Sequence, residues 1–166
     1  MSIQIDQAAS HLRYLVTRST ELLNGAQNLE EPYAPGKWKR KQLLGHLIDS
    51  CSNNHQRIVR GMSQTEVVFP GYDQEALVQV QRYAEAPAEV LISLWSSYNT
   101  HLAWVIEGLP IEKRSIPVTV GSDAPMPLEQ LILDYVAHME HHLRQMLGGN
   151  ALLWSGLPWG LQTPQL

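Results

Sequence analysis

The patterning of this chain predicts an all-α fold, a four-helix bundle. Four segments of roughly 20 residues carry apolar side chains at spacings of three and four, the signature of one buried stripe on each helix. Every proline lies at an edge of these segments or outside them. A stretch with a β-branched run, residues 110–127, sits between the third and fourth. A chain of 166 residues suits one domain spanning 1–166, with about two-thirds of its unfolded surface buried on folding.

The first helix is predicted from about Ile3 to Asn28, on the stripe Ile5, Ala8, Ala9, Leu12, Leu15, Val16, Ser19, Leu22 and Leu23. Pro32 and Pro35-Gly36 break it. The second is predicted from Lys37 or Trp38 to about Gly61, with Leu43, Leu44, Leu47, Ile48, Cys51, Ile58 and Val59 on its apolar side. Phe69-Pro70-Gly71-Tyr72-Asp73 reads as a loop, and Gln74 to Tyr83 as a short helical stretch. Pro87 is a good first-turn residue for the third long helix, which carries Leu91, Leu94, Trp95, Tyr98, Leu102, Val105, Ile106 and Leu109 on one side. Residues 110–127 hold four prolines, one glycine and the run Ile116 to Val120. They read as a long extended connection with room for a small hairpin. The fourth helix follows from about Pro127 to Leu147, and Gly148-Gly149-Asn150 stops it.

Composition excludes several classes of function. A net charge of −4 offers no basic field for a phosphate backbone, so no nucleic-acid partner is expected. No apolar run approaches the ~20 residues that span a bilayer, and no signal-peptide pattern opens the chain. A lone cysteine, Cys51, rules out an internal disulfide framework. A cytoplasmic protein is the expectation.

Histidines carry the functional signal. His138 and His142 lie one turn apart on the fourth helix, so both imidazoles leave the same side and can grip one ion. With Leu128 at 0°, His142 falls at about 320°, inside the apolar arc, and His138 at about 280°, on its margin. His141 falls near 220°, among solvent-facing residues. Gln145 and Asp134 border the inward side and are candidates to hold a ring N–H of a ligand. A third ligand must come from another helix, from among His11, His46, His55 and His101. On the second helix, periodicity places His55 inside the apolar arc and His46 outside it. His46 shares a polar stripe with Ser50, Asn53 and Arg57, which is either a solvated face or the wall of a polar pocket.

Several stretches resemble the DinB/YfiT-like superfamily. They are the run from Gly36-Lys37-Trp38 through Gly45-His46-Leu47-Ile48-Asp49-Ser50, the Phe69–Asp73 segment, Leu94-Trp95-Ser96-Ser97-Tyr98-Asn99, and His138-x-x-x-His142-x-x-Gln145. The four occur in the family's order between about Pro35 and Leu147. The resemblance implies a bundle, often a homodimer, that holds one divalent ion on His46, His138 and His142. The resemblance overrides the periodicity preference for His55, and the conflict is softened if the arc around Leu44, Ile48 and Val59 faces a second subunit. Trp104, outside its helix's apolar arc, is a candidate contact for such a partner.

Three neutral imidazoles leave an ion open coordination positions, and zinc and nickel both suit nitrogen donors. Such a site can activate water for hydrolysis or a small thiol for transfer. The leading expectation is a metal-dependent enzyme that activates a low-molecular-weight thiol, with Ser50, Asn53, Arg57 and Gln145 as candidates to orient a small-molecule substrate. The family includes both hydrolase-labelled members and thiol-dependent transferases or isomerases. A water-using hydrolase is the nearest rival, and Asp49 projects away from the pocket stripe, leaving no clear general base. A non-catalytic metal-binding stress-response bundle is the third reading.

Overall fold

The computed structural model describes residues 2–148 and Leu152. Five helices appear: α1 (Ser2–Gly25), α2 (Arg40–Ser63), α3 (Gln74–Val80), α4 (Ala88–Glu107) and α5 (Leu128–Leu147). The four long ones form the expected bundle, and α3 is the short helical stretch. Boundaries moved by a few residues. Gly25 ends α1 before Asn28, α2 starts at Arg40 and runs past Gly61 to Ser63, and Pro87 and Pro127 cap α4 and α5 from outside. Of the predicted stop, only Gly148 lies among the described residues.

The connection between α4 and α5 does contain a hairpin, β2 (Pro117–Val120) and β3 (Met126–Pro127). Its turn needs Gly121, whose φ is +60°, a region where a side chain is strained. The start of the Phe69–Asp73 loop is corrected: Phe69 ends a strand, β1 (Val67–Phe69), that pairs parallel with β2. Three residues are too few to show a period, so β1 reads as loop until its partner is known. Val67 and Val118, opposite each other in the ladder, are both buried in the core.

Helices α1 and α2 each pack on α4 and α5, which makes the consecutive pair α1 and α2 diagonal neighbours in the bundle. The predicted stripes form the shared core: Leu12, Leu15, Leu23, Leu44, Leu47, Ile58, Trp95, Leu102, Ile132, Met139 and Leu143 are all essentially inaccessible. α2 and α5 run antiparallel. Arg40 at the start of α2 donates to Met146 O near the end of α5 (3.1 Å), while Gly61 near the end of α2 lies against Leu128 at the start of α5.

Unlike the other helices, α2 is covered nearly all round. Besides α4 and α5 it meets α3 and the small sheet. Leu44 and Ile48 are therefore buried within the chain, and no second subunit is needed to account for them. On α4, Val90, Leu94 and Trp104 stay exposed, Trp104 at 67%.

The contact between α2 and the α3 segment depends on one glycine. A Cβ on Gly45 would come within 2.2 Å of the Tyr83 ring, which is itself buried. Overpacking of this kind costs about 1–3 kcal/mol, and replacing a mid-helix glycine with alanine returns up to about 1. Gly45→Ala is therefore expected to destabilise the protein by about 1–2 kcal/mol in urea unfolding. The loss should shrink when Tyr83 is also cut back to Ala. Equal losses in both backgrounds would show that the ring contact is not the cause.

Candidate metal centre

His46 lies two turns into α2, and His138 and His142 lie in the second half of α5. The antiparallel register brings these positions face to face. His46 Nε2 is 3.3 Å from His138 Nε2, and His142 Nε2 is 3.1 Å from the same atom. The three rings meet edge to face. No carboxylate or thiol joins the cluster among the described residues.

The rings' protons identify what this geometry suits. Gln145 Oε1 lies 2.7 Å from His142 Nδ1, so the His142 proton sits on Nδ1 and its Nε2 presents a bare lone pair. The Gln145 amide nitrogen faces His141 Nε2 at 3.0 Å, which fixes the orientation of the amide. If His138 Nε2 carries a hydrogen, it can serve one neighbour only. If it does not, its lone pair opposes that of His142. No placement of protons on three neutral rings satisfies both contacts, whereas one cation accepts all three lone pairs. Bonds of ~2.0–2.1 Å at angles of ~90–110° would separate the nitrogens by about 2.9–3.4 Å, and the two separations from His138 Nε2 lie in that range.

Burial keeps the rings in the ligand-competent state. Desolvation first, and the neighbouring His142 second, lower the His46 pKa from 6.5 to about 4. Desolvation and then His142, His46 and His141 bring His138 to about 3. His142 is lowered too, chiefly by burial, with Gln145 opposing the shift. The Trp38 ring lies 5.7 Å from that of His46, and its indole N–H donates to Glu75 on α3 (3.1 Å).

Other histidines are used elsewhere. His55, which periodicity favoured, is a correction: its Nδ1 is 3.1 Å from the Tyr98 hydroxyl and its ring faces His101. His11 pairs with Glu140 (2.8 Å), whose other oxygen accepts from Arg144 Nε (2.9 Å). That clamp fastens α1 to α5 between the two α5 histidines. His141 is exposed as projected. Asp134 is corrected as well: it accepts from Gln130 on the surface (2.7 Å), leaving Gln145 to hold the ligand ring.

The polar stripe of α2 is not solvated. Ser50 is 2% and Arg57 6% exposed, while Asn53 is half-buried and donates to Asp49 O (2.9 Å). Sequence reading missed what surrounds Asp49. Its carboxylate accepts from Tyr83 OH (2.8 Å) and from Gln81, and burial raises its pKa. The glycine beside His46, which admits the Tyr83 ring, was the available signal. Cys51 is inert, because burial pushes its thiol up to about 12.

A DinB superfamily sequence profile matches residues 4–146. The chain belongs to the DinB superfamily. A relative from Halalkalibacterium halodurans, provisionally named a metal-dependent hydrolase, is 24% identical over 140 residues, covering 84% of this chain and 78% of that protein. One from Bacillus pumilus with the same provisional name is 28% identical over 127 residues, 75% of this chain and 70% of its own. The solved structure of YfiT from Bacillus subtilis aligns with a TM-score of 0.78 at 19% identity, over 88% of this chain and 85% of YfiT. YfiT is provisionally described as a metal-dependent hydrolase with an unusual four-helix bundle topology. This DinB superfamily member shares that fold.

The sign of the histidine shifts sets an acid response. A histidine whose folded pKa lies below its unfolded value of 6.5 adds stability that is full above pH 6.5 and declines as pH falls toward the folded value. Metal-free protein should therefore lose stability from pH 6.5 down to about 3, as first His46 and then His138 titrates. His138→Gln should flatten that slope in urea unfolding measured at stepped pH. An unchanged slope would show that His138 protonates freely in the fold.

Proposed function

We propose that the protein is a metal-dependent hydrolase whose divalent ion is held by His46, His138 and His142. The observation that carries this reading is the convergence of three bare or shareable ring nitrogens in a desolvated pocket, His46 and His142 Nε2 lying 3.3 and 3.1 Å from His138 Nε2. The provisional hydrolase names of its DinB relatives support the same reaction class. Three protein ligands rather than four favour a reactive site over a closed structural one, which argues against the purely metal-storing stress-response bundle.

When bound, a zinc or nickel ion supplies Lewis acidity that makes water, or a thiol, nucleophilic at neutral pH. The chain's own groups prepare for this. Burial keeps all three imidazoles unprotonated, Gln145 fixes the His142 tautomer, and Trp38 screens one side of His46. Asp49 is engaged by Tyr83 and Gln81 from the α3 segment and is not part of the three-histidine cluster. The lack of a carboxylate in the cluster is the specific observation that keeps a second reading, transfer from a small thiol, in play.

Metal analysis of untagged protein tests the ligand set. His46→Ala, His138→Ala and His142→Ala are each expected to lose the ion, and His55→Ala to keep it. Loss in the His55 variant alone would overturn the assignment. Gln145→Leu should weaken metal affinity by about 10- to 100-fold while leaving the fold's melting temperature nearly unchanged. Metal-loaded protein is expected to cleave ester or amide substrates without added thiol. Turnover only in the presence of a small thiol would replace hydrolysis with thiol transfer.

A further inference from the structure

Arg57 is a buried cation without an anion. Its guanidinium cannot discharge by losing a proton, and a desolvated charge is costly unless it is paired. Every Asp and Glu of the chain lies among the described residues, yet none forms an ion pair with Arg57. Its one hydrogen bond among those residues goes to Asn54 Oδ1 (3.3 Å), and its Nε is enclosed with no partner. The Phe69 ring lies 5.6 Å from it, and the Tyr72 phenol, hydrogen-bonded to Ser50, is close enough to feel its charge.

Position gives this cation a direction. Arg57 stands on the same stripe of α2 as Ser50 and His46. Helical side chains lean toward the N-terminus, and the bond to Asn54, three residues back, shows the guanidinium doing so. The charge is thus brought to about two turns, ~11 Å along the helix, from His46. Phe69 and Tyr72 reach it from β1 and the loop that follows, so the sheet and α2 together enclose it.

We propose that Arg57, with Asn54, Ser50 and Tyr72, is an oxyanion subsite that takes a carboxylate or phosphate group of the substrate. That the oxyanion belongs to the molecule transformed at the three histidines rests on the function proposed above. Binding of the oxyanion itself does not. The planar fork of N–H donors suits two oxygens of one group, which a lysine ammonium cannot match. An Arg kept only for structure should find its partner within the chain. One kept for a ligand leaves the free protein carrying an uncompensated charge, a cost that functional sites commonly bear.

The test titrates the full-length protein with sodium acetate and, separately, inorganic phosphate against sodium chloride at fixed ionic strength. The readout is the Arg57 Nε–H resonance, assigned by its disappearance in Arg57→Lys. Arg60, also 5.6 Å from Phe69 but exposed, is the internal control. A saturable shift at Arg57 and not at Arg60 is expected, with acetate or phosphate as the stronger ligand naming the group. Arg57→Met should weaken that anion's binding about tenfold or more by calorimetry and melt no lower than wild type. No saturable shift with either anion, or a large fall in the melting temperature of Arg57→Met with anion binding retained, would overturn the proposal. The same titration in His138→Ala separates the two readings. A shift that persists there shows an oxyanion site independent of the metal centre, and its loss there would overturn the placement of the site two turns from His46.

Discussion

The antiparallel register of α2 against α5 is the constraint on which the rest of the molecule depends. Three contacts at successive heights fix it: Arg40 on Met146 O, the three histidines in the middle, and Gly61 on Leu128. Sliding either helix by one turn would move His46 about 5.4 Å from its partners and end the convergence. The outer two contacts are small and local, a guanidinium on a helix-end carbonyl and a leucine seated where no Cβ intervenes. Between them runs an apolar seam, including Leu47, Met139 and Leu143, that makes the register costly to leave.

The same register places polar groups where a bundle would ordinarily bury leucine. His46, Asp49, Ser50, Asn54 and Arg57 are all under a tenth exposed on one helix. Some of that desolvation is compensated inside the fold: Tyr83 and Gln81 both donate to Asp49 Oδ1, and Asn54 bonds back to Ser50 O. Some is not, as with Arg57 and the three converging lone pairs. A fold that tolerates these groups needs apolar burial elsewhere, and the stripes of α1, α4 and α5 supply it. The His11–Glu140–Arg144 clamp adds rigidity to α5 on the side away from the ligands, where it cannot compete with them.

Periodicity made the bundle legible because α1, α4 and α5 each bury one face and leave one wet. It also separated His138 and His142 from His141, since those residues lie on a helix of that kind. It failed on α2 for a physical reason. A helix covered by α4 and α5 inside and by α3 and the sheet outside has no solvent face, so its polar stripe is a second interior rather than an exterior. His55 fell in the apolar arc yet found Tyr98 and His101, while His46 fell outside it and found the other two histidines. Resemblance to relatives carried that residue where projection could not. Strand β1 was invisible for a related reason, being three residues whose partner lies some fifty positions away.

Topology explains why only α2 has this second interior. Because α1 and α2 occupy diagonal corners, both inner flanks of α2 go to α4 and α5, and the chain between α2 and α4 must fold back over its outer flank. That segment supplies β1, Tyr72, α3 and Tyr83, which meet α2 from the sheet end to the His46 end. Parallel pairing of β1 with β2 then ties this cover to the connection entering α5. Gly121 donates to Phe69 O at 2.8 Å across that join, and its φ of +60° sets the turn that brings it there. The long connections are therefore the outer wall of the polar interior. A four-helix bundle with short loops would leave the α2 stripe in water, where His46 would keep an ordinary pKa and Arg57 would need no partner.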